Sequence, residues 1–383
     1  MRRRAAAIAA FGAAAAGSTV LGWAARRRAL AGVAPLGDEW EELHRPIHGA
    51  PVTVRAGDRT RLHAEVLGPD DAPTLVLVHG YGLSQHAWHH QRRALSERYR
   101  LVCYDQRGHG ASAEAASGDY RMDALGDDLA AVLDATTTPE DPVVVAGHSM
   151  GGMSLLAFTE RHPERARGLA GAGLLSTAAG NVVAGGAFTA GAATLGALSG
   201  RLRPRLPWWG RSSTRDGEEA RDAEEARDAE EDHGAGAASS PASSPAPSPS
   251  HDAHSPEAWT DAPETDSLFL LTRAIGLGPR AHPAHVAFTQ QLLSECPSRV
   301  MAALGPTLGS VRLAHVAREL TMPARVLVGD ADRLTPRRQA ERLASLMPRA
   351  ELEVVPDAGH MLPLEAHEQV THALADLVEA ATS

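Results

Sequence analysis

Val143-Val-Val-Ala-Gly-His-Ser149-Met-Gly-Gly152 runs from an uninterrupted apolar stretch into a glycine-rich turn around one serine. Beyond it, Gly152 to Arg161 reads as a helix that ends at Pro163. A continuous run of β-branched residues suits a strand buried on both faces, as in a parallel sheet. The flanking glycines let the backbone turn sharply, so the Ser149 hydroxyl projects from the carboxyl end of the strand. The following helix aims its first amides and the positive end of its dipole at the same point, which favours a developing oxyanion. The bland alternative is that Ser149 merely caps that helix.

Outward from this turn the chain alternates strands with helices. Val52–Ala56 and Leu62–Leu67, joined through Gly57-Asp58, read as a hairpin. Thr74–Val78 and Tyr99–Tyr104 are further apolar runs, followed by a helical pattern over Met122–Leu133. A strand is expected within Gly168–Leu175, and two more at Arg325–Val328 and Glu351–Val355. Helices are expected at Pro336–Leu346 and Leu364–Ala380. This order predicts a doubly wound, mostly parallel α/β sheet. Residues 50–176 and 318–383 form its core, and residues 177–317 form an inserted helical cap. Such sheets bind ligands where the carboxyl ends of the strands open.

Composition limits the chemistry. The chain has 383 residues and no lysine, so all 37 basic residues are arginines. That removes a phosphate-loop lysine, a Schiff base and a Ser-Lys dyad. Two cysteines cannot build a disulfide framework or a cysteine-rich zinc site. A net charge of −10 argues against a nucleic-acid partner. The acidity is local: 15 acidic residues face 4 arginines between Arg211 and Asp266, where a repeated Arg-Asp-X-Glu-Glu unit gives way to an Ala/Ser/Pro tract. With no apolar face to bury, residues 211–266 read as a disordered insertion within the cap.

At the other extreme, Arg2–Arg4 and Arg26–Arg28 bracket an uncharged, Ala/Gly-rich run from Ala5 to Ala25. A helix of that length reaches about 30 Å, the thickness of a bilayer core. Residues 1–30 therefore read as a membrane anchor or a signal-like segment, with a soluble Ala-rich helix as the rival. The chain is expected to be membrane-associated through residues 5–25 or exported, and otherwise cytoplasmic. Nothing in its pattern fixes an oligomeric state.

The glycine turns together resemble the α/β-hydrolase superfamily. The elbow Gly147-His-Ser149-Met-Gly151 carries the resemblance, with His79-Gly-Tyr81-Gly82 after the strand Thr74–Val78 and Asp105-Gln-Arg107-Gly-His-Gly110 after the next. Gly329-Asp-Ala-Asp332-Arg-Leu-Thr-Pro336 is similar to the family's acid-bearing stretch, and Ala358-Gly-His360 to its base-bearing turn. The resemblance implies the α/β-hydrolase fold and a triad of Ser149 as nucleophile, His360 as base and Asp332 as acid. It also implies an oxyanion hole from the amides of Tyr81 and Met150. Asp330 is the rival acid, and the spacing from Gly329 to Pro336 favours Asp332.

A serine at 149, where epoxide hydrolase-like members carry aspartate, leaves ester, thioester, lactone or amide hydrolysis through an acyl-enzyme. The resemblance to esterase-like and monoacylglycerol lipase-like members favours carboxylic esters, small or lipid-like. No cofactor or metal is implied, although His86 and His90 stand one helical turn apart. His79, His109 and His148 read as packing histidines, and His367 and His372 as surface groups. Apolar stretches at Val182–Leu198, Pro207–Trp209, Leu268–Leu271 and Leu292-Leu293 suggest an acyl pocket. The alternatives are a cofactor-free haloperoxidase or perhydrolase, a carbon–carbon bond hydrolase, and a ligand binder without catalysis on the same scaffold.

Overall fold

A computed structural model describes residues 36–180 and 263–383. The expectations for residues 1–30, for Val182–Leu198 and Pro207–Trp209, and for the acidic insertion as far as residue 262 lie outside the described residues. Among those that are described, no helix is long and apolar enough to cross a membrane.

A short helix, α1 (Gly37–Leu43), precedes the expected hairpin of β1 (Ala50–Arg55) and β2 (Arg61–Leu67). Next come β3 (Thr74–Val78), a single 3₁₀ turn at Gln85–Trp88, α2 (His89–Leu95), β4 (Arg100–Tyr104) and α3 (Met122–Thr136). The central strand β5 (Val143–His148) leads into α4 (Met150–Arg161), then α5 (Pro163–Arg167) and β6 (Gly171–Leu175). Described residues between β6 and β7 add α6 (Pro263–Gly276), α7 (Pro283–Glu295) and α8 (Ser298–Ser310). The last four residues of the expected disordered stretch thus belong to α6: a proline at the first position and an apolar run behind it suffice to start a helix there. The chain ends with β7 (Ala324–Gly329), α9 (Arg337–Leu346), β8 (Ala350–Val355), α10 (Leu362–Glu365) and α11 (His367–Thr382).

The eight strands form one sheet in the order β1-β2-β4-β3-β5-β6-β7-β8, parallel from β4 to β8, with β2 antiparallel to both its neighbours. Alternation within each central strand builds two cores. Val76, Val78, Val102, Tyr104 and Val145 face α3 and α4, while Leu75, Leu77, Leu101, Cys103 and Val144 face α2 and α11. Every residue of β3, β5 and β6 is buried, which is why these strands read as unbroken apolar runs. A third cluster joins Leu43 of α1 and Phe288 and Leu292 of α7 to Leu83, Met361 and Leu364 at the sheet's rim.

Chain order reverses at β3, with β4 on one side and β5 on the other, and the register pairs Val78 with Gly147. The turns after β3 and β5 therefore leave the sheet side by side. The segment inserted after β6 is gathered at its base. Gly180 forms an isolated antiparallel bridge with Arg312, and the Leu313 amide donates to the Ala179 carbonyl at 2.7 Å.

The turn after β4 is held by charge. The Asp105 carboxylate accepts the Gln85 and Ala111 amides at 2.8 and 2.9 Å. Arg107 lays its guanidinium flat against Asp128 of α3, with Nε donating at 2.6 Å and Nη2 at 2.7 Å, and both side chains are buried. Without Asp128 the buried Arg107 charge would keep only its 3.2 Å pair with Asp58 and a bond to the Asp119 carbonyl. Asp128→Ala is expected to lower the unfolding free energy by about 3–5 kcal/mol in urea titrations.

Candidate active site

The elbow is sharper than its sequence indicates. Ser149 stands alone between β5 and α4 with φ 52° and ψ −114°, and the helix begins at Met150 rather than at Gly152. A backbone this strained persists only where its surroundings impose it, and functional sites are where such strain collects. The close approach explains the flanking glycines: a Cβ on Gly147 would lie 2.3 Å from the Gly151 carbonyl carbon, and one on Gly151 2.2 Å from the Val78 oxygen. Ser149 is fixed through its backbone, its amide donating to Leu175 at 2.9 Å and its carbonyl accepting from the Thr177 hydroxyl at 2.6 Å. Its side chain makes no capping bond to α4, which removes the bland reading.

Instead the hydroxyl lies 2.9 Å from Nε2 of His360, whose Nδ1 lies 2.9 Å from Oδ2 of Asp332. A carboxylate can only accept, so Nδ1 carries a proton, and the neutral form of the ring then presents an Nε2 lone pair to the hydroxyl. The structure thus joins the three residues, 28 and 211 positions apart, in one chain of hydrogen bonds. Asp332 is buried whereas Asp330 is exposed, its amide tied to the Val355 carbonyl at 3.0 Å. Burial pushes the Asp332 carboxyl up, but the His360 imidazole and hydrogen bonds from His360 and Thr335 outweigh it and hold the group below its ordinary value.

The second turn, His79–Gly82, stands against the elbow: a Cβ on Gly80 would come within 3.3 Å of the Ser149 Cβ. Tyr81 is the next residue after that contact, and Met150 is the chain neighbour of Ser149, so both residues expected to supply oxyanion amides adjoin the elbow along the chain. Two histidines brace this turn. His79 donates from Nδ1 to the Gly80 carbonyl at 2.8 Å and accepts the Gln106 amide at 2.9 Å. His109 donates to the Arg107 carbonyl at 3.0 Å and accepts the Gly82 amide at 3.0 Å. Burial pushes His79 down to about 4 and, with His79 beside it, His109 down to about 3, so both act as neutral struts. His148 is a third, donating to the His360 carbonyl at 2.8 Å.

Two supports escaped the sequence reading. Thr335 donates its amide to Oδ1 and its hydroxyl to Oδ2 of Asp332, both at 2.9 Å, and the same hydroxyl lies 3.3 Å from Nδ1 of His360. Glu365 accepts the amides of Gly278, Gly359 and Met361 at 2.6, 3.1 and 3.0 Å, so one carboxylate ties the His360 loop to the end of α6. The His360 amide adds a bond of 3.0 Å to the Gly276 carbonyl. A threonine three residues beyond an acid is a recognisable turn signal. Glu365 gives no such signal, because one of its partners lies 87 positions away.

His367 departs from expectation. It is half-buried with its ring stacked on His90 at 4.0 Å, because α11 starts afresh after Ala366 and turns its first residue inward. His372 is exposed, as expected.

A family model described as alpha/beta hydrolase fold matches residues 73–366, well over half of the chain. Among curated proteins, 3-oxoadipate enol-lactonase 2 of Acinetobacter baylyi is 34% identical over 120 residues, covering 31% of this chain and 43% of that protein. Epoxide hydrolase B of Mycobacterium tuberculosis is 37% identical over 116 residues, covering 29% and 32%. The chain thus spans less than half the length of the curated relatives it matches. Among solved structures, an esterase from Thermogutta terrifontis superposes with a TM-score of 0.59 at 22% identity, over 87% of this chain and 99% of the esterase.

Proposed function

The chain belongs to the α/β-hydrolase family, and from that premise we propose that it is a serine hydrolase of carboxylic esters. The observation that carries this reading is the 2.9 Å approach of the Ser149 hydroxyl to His360 Nε2 at a strained elbow. In the proposed reaction, Ser149 Oγ attacks the ester carbonyl while Nε2 takes its proton. Asp332 holds the tautomer and stabilises the imidazolium without accepting the proton. The amides of Tyr81 and Met150 bind the oxyanion. His360 then returns its proton to the departing alkoxide, and water, activated by the same imidazole, cleaves the acyl-enzyme to release acid and free serine.

The epoxide hydrolase relatives do not carry their chemistry here. A serine that opened an epoxide would form an ether, which water cannot release under these conditions, whereas an acyl ester is readily hydrolysed. A lactone, the substrate class in the name of the Acinetobacter relative, is a cyclic ester and falls within the proposed class. Residues 177–317 are read as the cap that selects the acyl group. Leu293 of α7 and Met301 of α8 support this, since a Cβ on Gly82 would lie 2.8 and 3.1 Å from their side chains. The run Ala5–Ala25 supports a membrane-associated or exported enzyme acting on lipid-like esters.

A fluorophosphonate probe tests the nucleophile. It is expected to label Ser149 in the folded protein, with labelling slowed at least about 100-fold in His360→Ala, within the range of a general base. Folded protein that resists the probe would sink the proposal. Initial rates on p-nitrophenyl esters of rising chain length then define the acyl pocket.

A further inference from the structure

Three elements distant in the sequence bring side chains together outside the triad. His285 Nε2 of α7 lies 2.8 Å from Glu39 Oε1 of α1, and His90 Nε2 of α2 lies 3.2 Å from the same oxygen. The three donor atoms all fall within 4.8 Å of one another, with both imidazoles buried and the carboxylate half-exposed. We propose that Glu39, His90 and His285 form a zinc-binding site that clips α1 and α7 to α2.

The geometry suits that ion. Tetrahedral zinc with bonds of about 2.0–2.1 Å sets its donors roughly 3.3 Å apart. The two imidazoles lie close to that spacing, 2.8 and 3.2 Å from Glu39 Oε1, with the two nitrogens themselves within 4.8 Å of each other. Two imidazoles and one carboxylate suit zinc better than calcium or magnesium, which favour oxygen, and a water completes the fourth position.

A plain hydrogen-bonded network fits less well. Two buried nitrogens converge on one oxygen, and only His285 makes an aligned bond to it; His90 Nε2 lies close but without hydrogen-bond geometry. Further imidazoles crowd this group. His367 stacks on His90, His282 lies 5.8 Å from His285 between ring centres, and His89 sits edge-on to His90 at 5.5 Å. A divalent cation satisfies both nitrogens and the carboxylate at once.

The sequence reading saw only the spacing of His86 and His90. His86 turns away from this group, its Nδ1 3.4 Å from Arg92 Nη1, and the carboxylate arrives from α1 instead. The site bears on α7, whose Leu293 roofs the turn bearing Tyr81.

The test uses the full chain after treatment with a chelator. Isothermal titration with zinc chloride is expected to show one tight equivalent, with a higher thermal midpoint and, on loading with cobalt(II), the visible bands of a tetrahedral ion. Loss of a supporting partner alone typically weakens metal sites 10–100-fold, so Glu39→Gln and His285→Ala are each expected to weaken zinc binding by about 100-fold or more. Glu39→Gln keeps shape and hydrogen bonding, which guards against a variant that fails to fold. The acidic stretch 211–266 carries three further histidines, His233, His251 and His254, and replacing them by alanine is expected to leave the tight equivalent in place. Tight zinc retained by Glu39→Gln, or lost with those three histidines, overturns the proposal, as does wild-type protein that takes up none.

Discussion

Ser149→Ala is expected to lower kcat/KM for ester hydrolysis by about 10⁶-fold, the loss seen when a triad serine is removed elsewhere. What survives comes from binding and from the oxyanion amides, which the substitution leaves in place. The variant should fold normally, since alanine keeps the same Cβ at the same dihedral angles and the anchoring bonds to Leu175 and Thr177 use only backbone atoms of residue 149. Glycine at this position makes the reading sharper. Ser149→Gly is expected to be equally inactive yet more stable than Ser149→Ala by about 1 kcal/mol, because relief of strain at φ 52° exceeds the added chain entropy. Stopped assays and urea melts on the two variants separate the contributions. Activity within tenfold of wild type in either would refute a serine mechanism.

The second large effect distinguishes two aspartates two residues apart. Asp332→Asn is expected to cost about 10⁴-fold in kcat, the loss that accompanies a wrong imidazole tautomer in comparable triads. The local bonding explains why. Leu334 and Thr335 amides donate to Oδ1, and the Thr335 hydroxyl donates to Oδ2, so every protein partner of Asp332 donates. The two amides keep an asparagine's carbonyl oxygen on their side, and its NH₂ then points at His360 Nδ1. That nitrogen must become an acceptor, which places the proton on Nε2, where it cannot serve as base. Asp330→Asn should retain activity within a factor of about two, as expected for an exposed side chain. The reverse ranking would move the acid to Asp330.

Much of the scaffold was legible because its signals are local. The runs at 74–78 and 143–148 are buried on both faces, and nothing but a strand inside a parallel sheet accounts for them followed by glycine turns. Ser149 and Asp332 were legible because each sits on a turn just beyond a largely buried strand, whereas His360 follows a mostly exposed one and was read from the resemblance of its Ala-Gly-His turn. Boundaries were less so: α4 starts two residues early because the elbow consumes a single residue, and the last helix is interrupted at Ala366. What escaped altogether is long-range pairing. Glu39 and His285 lie 246 positions apart, and Glu365 and Gly278 lie 87 apart, so no periodicity links them. The disposition of His367 followed from that packing and not from its place on an amphipathic helix.

The bridge between Gly180 and Arg312 has an evolutionary consequence. The inserted chain leaves and rejoins the scaffold through one doorway, between strands that are already neighbours in the sheet. Lengthening a loop whose ends are pinned together raises its entropy cost only logarithmically, by roughly 0.6 kcal/mol per doubling. Length changes near that doorway are therefore expected to be borne cheaply, whereas changes at Gly276, Gly278 or Leu293, which touch the His360 loop and the Tyr81 turn, would be felt at the site itself.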